Sequence, residues 1–199
     1  MTAYEPATLQ PAVHDQDHIR GPSRAPVTLL EYGDFECPHC AAAHPIVVGL
    51  RARLADRMRF VYRNFPLLQI HPHALHAAAA AESVAAHAGA TAYWAMHDAL
   101  FEHQQHSRHA LDDAHLVRYA AAAGADGARV RAELAAGTQE ARVRADYTSG
   151  VWSGVHGTPT FFINGRRFDG DWRNPAAFVW ALDQAARSTE SRQATGGLV

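Results

Sequence analysis

VTLLEYGDFECPHC, residues 27–40, is the stretch that decides the fold of this chain. Residues 27–32 combine branched apolar and aromatic side chains, a composition that predicts a buried strand. A Gly-Asp pair ends the strand, and Pro38 suits the first turn of a helix, where its missing N–H group costs nothing. The stretch therefore predicts a strand-to-helix junction that carries Cys37 and Cys40 at the start of the helix.

Regular elements are predicted on both sides of this junction. The helix should run to about residue 55 with a kink at Pro45, and a second strand should follow at residues 58–64. A crossover of this length implies that the two strands are parallel. Strand signals return at residues 160–163, followed by Asn-Gly, a strong signal for a two-residue hairpin turn, and by a last helix at about 175–187.

An alanine-rich stretch at about residues 72–152 separates the two sheet-forming parts. Its patterning predicts five helical segments, at 74–88, 92–103, 112–123, 127–135 and 138–149. The element order predicts an α/β fold: a small mixed sheet flanked by helices and interrupted by an α-helical subdomain. The domain should span residues 21–187, with 1–20 as a tail or edge segment and 188–199 as a flexible tail.

Composition narrows the functional classes. The chain of 199 residues has a formal net charge of -2 and no dense Lys/Arg block, so nucleic acid is not an expected partner. No run approaches the roughly 20 apolar residues that span a bilayer, so membrane insertion is not expected. The polar N-terminus lacks the pattern of a secretory signal, which predicts a cytoplasmic protein, or a periplasmic or extracytoplasmic one if a signal has been removed.

The two cysteines are the only ones in the chain, and they are three positions apart. Such a pair can serve as half of a zinc site, as iron–sulfur ligands or as a redox dithiol. A structural zinc site usually has four protein ligands, and no second close pair adjoins the motif. At a helix start, free N–H groups and the positive end of the helix favour the Cys37 thiolate, so the redox interpretation is preferred.

Three further features accompany the dithiol. Pro38-His39 separates the cysteines and tunes the reduced state. His39 is expected to offer a hydrogen bond or positive charge to Cys37, and the alternative is a solvent-facing helix residue. Glu31 lies within an apolar strand; buried, it could take the proton of Cys40, and the alternative is a strand-edge carboxylate facing water. Thr158-Pro159 precedes a strand, where a cis peptide bond would leave nearby backbone exposed to a substrate peptide.

With these residues, VTLLEYGDFECPHC and the later GTPTFFINGR, the chain resembles the DsbA-like branch of thioredoxin-fold proteins from about residue 17 to 187. It is particularly similar to the soluble thioredoxin-like domains found alone or appended to bacterial sodium/proton antiporters. The resemblance implies that Cys37 is the nucleophile, Cys40 the resolving thiol, Glu31 the buried acid and Pro159 the cis proline. Thr158 departs from the best-known periplasmic oxidants, which carry Val before that proline.

The predicted function is dithiol–disulfide exchange with protein or peptide substrates, with no bound cofactor and with an unidentified redox recycling partner. A non-catalytic redox-sensing module and a metal-binding module on the same fold are the alternatives. Histidines at helical spacing could form a weak zinc or nickel site, although a solvated surface is the preferred interpretation. These histidines are His71, His73, His76, His97, His103, His106 and His109. Arg63, at the end of a central strand, is interpreted as a surface charge.

Overall fold

The computed structural model describes residues 7–107 and 109–196. Five strands form one sheet: β1 (His18–Arg20), β2 (Val27–Gly33), β3 (Met58–Asn64), β4 (Thr160–Ile163) and β5 (Arg166–Arg167). The helices are α1 (Pro38–Leu54), α2 (Ala74–His103), α3 (Asp113–Ala122), α4 (Gly127–Ala136), α5 (Glu140–Trp152) and α6 (Pro175–Gly196). The predicted thioredoxin-like α/β fold is therefore confirmed.

The sheet has the order β1-β3-β2-β4-β5, and only the β2–β3 pair is parallel. The parallel pair follows from the α1 crossover, whereas the Asn164-Gly165 turn joins β4 to β5 as an antiparallel hairpin. Both turn residues have positive φ, 48° and 80°, as a two-residue hairpin of this kind requires. β2 lies at the centre of the sheet, so the loop that leaves its carboxyl end sits over the middle of the fold.

The predicted helical insertion comprises α2 to α5. The predicted segments 74–88 and 92–103 form one helix, α2, which is interrupted at Gly89, where φ is 79°. Glycine adopts this conformation at no steric cost, so the interruption coincides with the break expected from the sequence. α1 continues as a helix through Pro45.

One of the sequence-based expectations is wrong at the surface. Arg63 is not a surface charge, because it is 1% exposed on the face of the sheet covered by the N-terminal segment. Its guanidinium forms a two-pronged ion pair with Asp17, at 2.7 and 2.8 Å, and donates to the Tyr32 hydroxyl at 3.0 Å. The segment expected as a tail or edge thus supplies the counter-charge, and residues 18–20 of it form the edge strand β1. Residues 1–6 lie outside the described residues.

The last helix extends further than the sequence suggested. α6 continues to residue 196, although its end was expected near Arg187 with a flexible tail beyond. Arg57, in the turn after α1, pairs with Asp183 at 2.8 Å and with Glu190 at 3.3 Å, and so contacts the helix on both sides of that position. Ser and Thr hydroxyls in the last turns donate to carbonyls four residues earlier, which is compatible with continued helix.

Candidate active site

The site is built at the junction of β2 and α1. Cys37 occupies the position that caps α1, in extended conformation, and Pro38 is the first helical residue. The N–H group of Cys37 donates to the Asp34 carbonyl at 3.1 Å, which closes the turn between strand and helix. Cys37 and Cys40 are both free thiols and both buried. One turn of helix therefore presents the two sulfur atoms to each other.

The surroundings of Cys37 favour its thiolate. A hydrogen bond from Cys40 is the largest of the favourable contributions that lower the pKa of Cys37 to about 5, followed by a hydrogen bond from Thr158 and by the backbone N–H groups of Cys40 and His39. Burial of the sulfur opposes the shift. As a thiol, Cys37 can donate to the Thr158 carbonyl at 3.5 Å. The buried Thr158 hydroxyl has no other partner, so it is free to donate once the proton has left.

Cys40 and Glu31 form the buried half of the site. Burial, the hydrogen bond to Cys37 and the charge of Glu31 raise the pKa of Cys40 well above its ordinary value. Burial, and secondarily the charge of Cys37, raises the pKa of Glu31 to about 8. Glu31 is 2% exposed, and its Oε1 atom has no hydrogen-bond partner, so the carboxyl group does not lie at a solvent-facing edge. The site thus favours the thiolate form of Cys37 and the protonated thiol form of Cys40.

Glu31 is paired across the sheet with Tyr62 of β3. The Tyr62 ring fills the space beside Gly33, where a Cβ atom would lie 2.5 Å from the ring. Glycine is therefore needed at the end of β2 for this ring to cover the acid. The Tyr62 hydroxyl is itself buried without a partner, and the nearby charges of Cys40 and Glu31 add to the burial that raises its pKa.

His39 has a different role from the one expected. Its side chain is exposed, as is that of Pro38. Within the described part of the chain the imidazole makes no hydrogen bond or ion pair, and the backbone N–H group is what acts on Cys37. Helical geometry explains this, because the residue two positions after the cap points away from the helix end. The imidazole instead lines a groove beside the dithiol.

That groove, about 380 Å³ in volume, runs along the Thr158-Pro159 loop. The peptide bond between these two residues is cis. Phe168 and Trp172, from the segment between β5 and α6, provide apolar walls. Because Thr158 contacts the sulfur of Cys37, the groove adjoins the atom expected to react.

Sequence reasoning missed the residues that hold the active-site loop in place. The Asp34 carboxylate accepts from the backbone N–H groups of Glu36 and Leu67, both at 2.8 Å, and lies 2.7 Å from His71 Nδ1. Gln104, just after α2, donates to the carbonyl of Cys37 at 3.3 Å. An acidic residue between a strand and a CxxC motif is a sequence signal that could have identified Asp34, whereas no local feature of the sequence distinguishes Gln104. The segment between β3 and α2 and the residue after α2 therefore hold the loop from two sides.

Three of the seven histidines named from the sequence contact a carboxylate in the described structure: His71, His76 and His97. His71 contacts Asp34, His76 contacts Asp113, and His103 lies 3.3 Å from His106. Donor atoms of His44, His97 and Asp98 lie within 4.8 Å of one another, which is close enough for three metal ligands. Asp98 is at the same time ion-paired to Arg20 at 2.8 Å. The His97 ring is enclosed by aromatic side chains, whereas His44, Asp98 and Arg20 are partly exposed, so this cluster is a partly buried ion-paired network.

A dithiol at the start of the first long helix, beside a central mixed sheet and a Thr-Pro loop, defines a thioredoxin-fold dithiol protein. The thioredoxin family model matches residues 14–184, and the chain therefore belongs to the thioredoxin family. Among curated relatives, the Na(+)/H(+) antiporter NhaA 3 of Salinispora tropica is 43% identical over 190 residues, which are 94% of this chain and 28% of the relative. The antiporter NhaA of Herminiimonas arsenicoxydans is 43% identical over 192 residues, 95% of this chain and 29% of the relative.

Solved structures support the same fold. BdbD from Bacillus subtilis superposes with a TM-score of 0.82 at 20% identity, covering 92% of this chain and all of that one. A thioredoxin-like oxidoreductase from Silicibacter pomeroyi superposes with a TM-score of 0.71 at 26% identity, covering 87% of this chain and 94% of that one. The expected resemblance to DsbA-like proteins and antiporter-appended domains is thus confirmed. None of the described helices has the length and apolar character needed to cross a bilayer.

Proposed function

We propose that this chain is a thiol–disulfide oxidoreductase that exchanges disulfides with protein or peptide substrates through Cys37 and Cys40. The observation that carries the proposal is the pairing of two free thiols: Cys37 contacts Thr158, which lines the groove, and Cys40 lies near the buried carboxyl group of Glu31. Such an arrangement separates the tasks of attack and resolution. The structural neighbours, which include oxidoreductases, support the same class of activity.

The reducing direction has two steps. The Cys37 thiolate attacks one sulfur of a substrate disulfide, the substrate S–S bond breaks, and the second substrate sulfur leaves as a thiolate. Cys40 then loses its proton and attacks the Cys37 sulfur, which releases the first substrate sulfur and leaves a Cys37–Cys40 disulfide. The substrate gains two electrons and the protein loses two. The oxidising direction is the reverse of these steps.

Glu31 is suited to take the proton of Cys40 in the second step. While Cys37 is a thiolate, its charge helps to keep the Glu31 carboxyl protonated. Formation of the mixed disulfide removes that charge, so the pKa of Glu31 falls and the ionised carboxylate becomes available as a base. Proton transfer is in this way linked to the presence of a substrate on Cys37.

The stabilised Cys37 thiolate favours the reduced protein, which makes the Cys37–Cys40 disulfide the more oxidising form. In a reducing cytosol the resting form would still be the dithiol, and a recycling partner would be needed for turnover in either direction. No bound cofactor enters these steps. Measuring the equilibrium of the dithiol with glutathione would set the direction of electron flow.

A second candidate function follows from the relatives. The chain spans about 28% of the length of the curated antiporters that it matches, so a related domain occurs within transporter chains. A redox-sensing module that reports the state of the dithiol to a partner would use the same two cysteines. It would show negligible turnover with model substrates, and a Cys40→Ser variant would retain its partner as a mixed disulfide.

The test is reduction of insulin disulfides and reoxidation of reduced ribonuclease with single-cysteine variants. Cys37→Ser should abolish both activities, because it removes the attacking sulfur. Cys40→Ser should accumulate mixed disulfides, because the resolving sulfur is missing. Arg131→Gln, at an exposed position of α4, serves as the matched control and should retain the wild-type rate. Activity that persists in Cys37→Ser would refute the proposal.

A further inference from the structure

The groove beside Cys37 has an uneven distribution of charge. Its apolar walls carry a rim of nitrogen-bearing side chains: His39, His156 and Arg173. The carboxylate that lines the groove, Asp169, lies 2.6 Å from Arg167 Nε. That carboxylate is therefore already neutralised by an arginine of the protein.

Arg173 is the cation of this rim that has no acidic partner. Its guanidinium lies over the Trp172 ring, 4.4 Å from the ring centroid, which holds the group in place without neutralising it. The nearby Asp171 carboxylate accepts the backbone N–H group of Arg173, at 3.0 Å. Over residues 7–107 and 109–196, no carboxylate lies within ion-pair distance of the guanidinium.

The two histidines extend this pattern toward the reacting sulfur. His39 is two residues from Cys37, His156 is two residues from Thr158, and both line the groove. Both side chains are exposed, and neither contacts an acid in the described part of the chain. An imidazole carries at least one N–H donor in either protonation state, so both can bind a carboxylate. A lysine side chain of a substrate would find no unpaired acid on this rim.

We propose that the groove selects peptides in which an Asp or Glu lies next to the reacting cysteine, with Arg173 as the principal contact of the carboxylate. This inference rests on the proposed disulfide exchange and names its substrate class. The aromatic walls accommodate the apolar part of the side chain, while the cationic rim binds the carboxylate. The Cys37 thiolate would attack a disulfide that this contact has brought over the groove.

The experiment compares three disulfide-linked peptides that differ only in the residue beside the cysteine, which is Glu, Gln or Lys. The second-order rate of their reduction by the reduced protein is measured by stopped flow. Exposed ion pairs are weak, so the Glu peptide should react about fivefold faster than the Lys peptide at low salt. The difference should shrink at about 0.5 M NaCl, where screening is strong. Arg173→Gln should remove most of it, whereas Arg131→Gln should leave it unchanged.

Equal rates for the Glu and Lys peptides in wild type would overturn this inference while leaving disulfide exchange intact. An equal loss of preference in Arg173→Gln and Arg131→Gln would overturn it as well, because net charge alone would then explain the selectivity. Failure to reduce even the Gln peptide would instead count against the proposed exchange activity itself. Arg173→Lys keeps the charge and should retain part of the preference, which separates a charge effect from a loss of folding.

Discussion

Replacement of Cys40 by alanine or by serine separates the two roles of its side chain. The hydrogen bond from Cys40 is the largest favourable contribution to the low pKa of Cys37. Alanine removes that donor, whereas serine keeps a hydroxyl at nearly the same place. Because the chain has only two cysteines, each variant has a single thiol to titrate.

The size of the effect follows from the strength of a charge-assisted hydrogen bond. Such a bond contributes about 1.5–3 kcal/mol, and one pH unit corresponds to about 1.4 kcal/mol. Cys40→Ala should therefore raise the pKa of Cys37 from about 5 by roughly one to two pH units. Cys40→Ser should stay close to the wild-type value. At pH 7 the wild-type sulfur should be about 99% thiolate.

Two measurements of the same titration are suitable. The ultraviolet absorbance of the thiolate reports its fraction directly, and the rate of alkylation by iodoacetamide follows the same curve. In wild type the high pKa of Cys40 keeps its titration well separated from that of Cys37. Both measurements should give the same midpoint for each variant.

Identical midpoints for Cys40→Ala and Cys40→Ser would refute the role assigned to the Cys40 hydrogen bond. A wild-type midpoint near that of an ordinary cysteine would refute the whole electrostatic account of the site. Thermal unfolding of both variants controls for structural damage, because a pKa change without loss of stability must arise locally.

The other predictions concern stability in the reduced protein. The folded-state pKa of Glu31, about 8, exceeds the unfolded value of about 4.3, so the contribution of Glu31 to the unfolding free energy should fall as pH rises between them, while the low pKa of Cys37 acts in the opposite direction. Glu31→Gln should abolish that loss, which amounts to up to about 5 kcal/mol and is measured by urea unfolding. Parallel plots of unfolding free energy against pH for the two proteins would contradict this. The folded-state pKa of His97, about 4, is below its usual value. The unfolding free energy should therefore fall by up to about 3 kcal/mol as pH drops from about 6.5 to 4. His97→Leu should remove this pH dependence. Arg63→Met should cost about 3–5 kcal/mol by leaving Asp17 buried and unpaired, and Asp17→Leu in the same chain should recover most of it. A double variant no more stable than the single one would exclude the ion pair as the cause.

The sequence was sufficient where the signal is local. Residues 27–40 predicted strand, turn and helix start because their apolar run, Gly-Asp pair and CPHC motif act within one stretch of chain. The hairpin at Asn164-Gly165 was equally predictable, since its backbone conformation is set by those two residues. The place of the helices in the insertion followed from alanine-rich patterning with glycine breaks, although two of the five predicted segments form one helix, α2.

Tertiary structure decided the electrostatics. Glu31 could be named as a buried acid, but its proton affinity depends on its burial in the folded core and on the charge of Cys37, which the fold brings close to it. Arg63 was taken for a surface charge because its partner Asp17 is far away in sequence.

One physical reason explains why some properties of this protein followed from the sequence and others only from the tertiary structure. Backbone conformation and helix starts depend on neighbours along the chain, so the strand, the helix and the position of Cys37 and Cys40 were determined by the sequence itself. Proton affinity, ion pairing and the shape of the groove depend on atoms that only folding brings together. The contacts that Leu67, His71 and Gln104 make with the active-site loop, and an Arg173 with no acidic partner among the described residues, could therefore be found only in three dimensions.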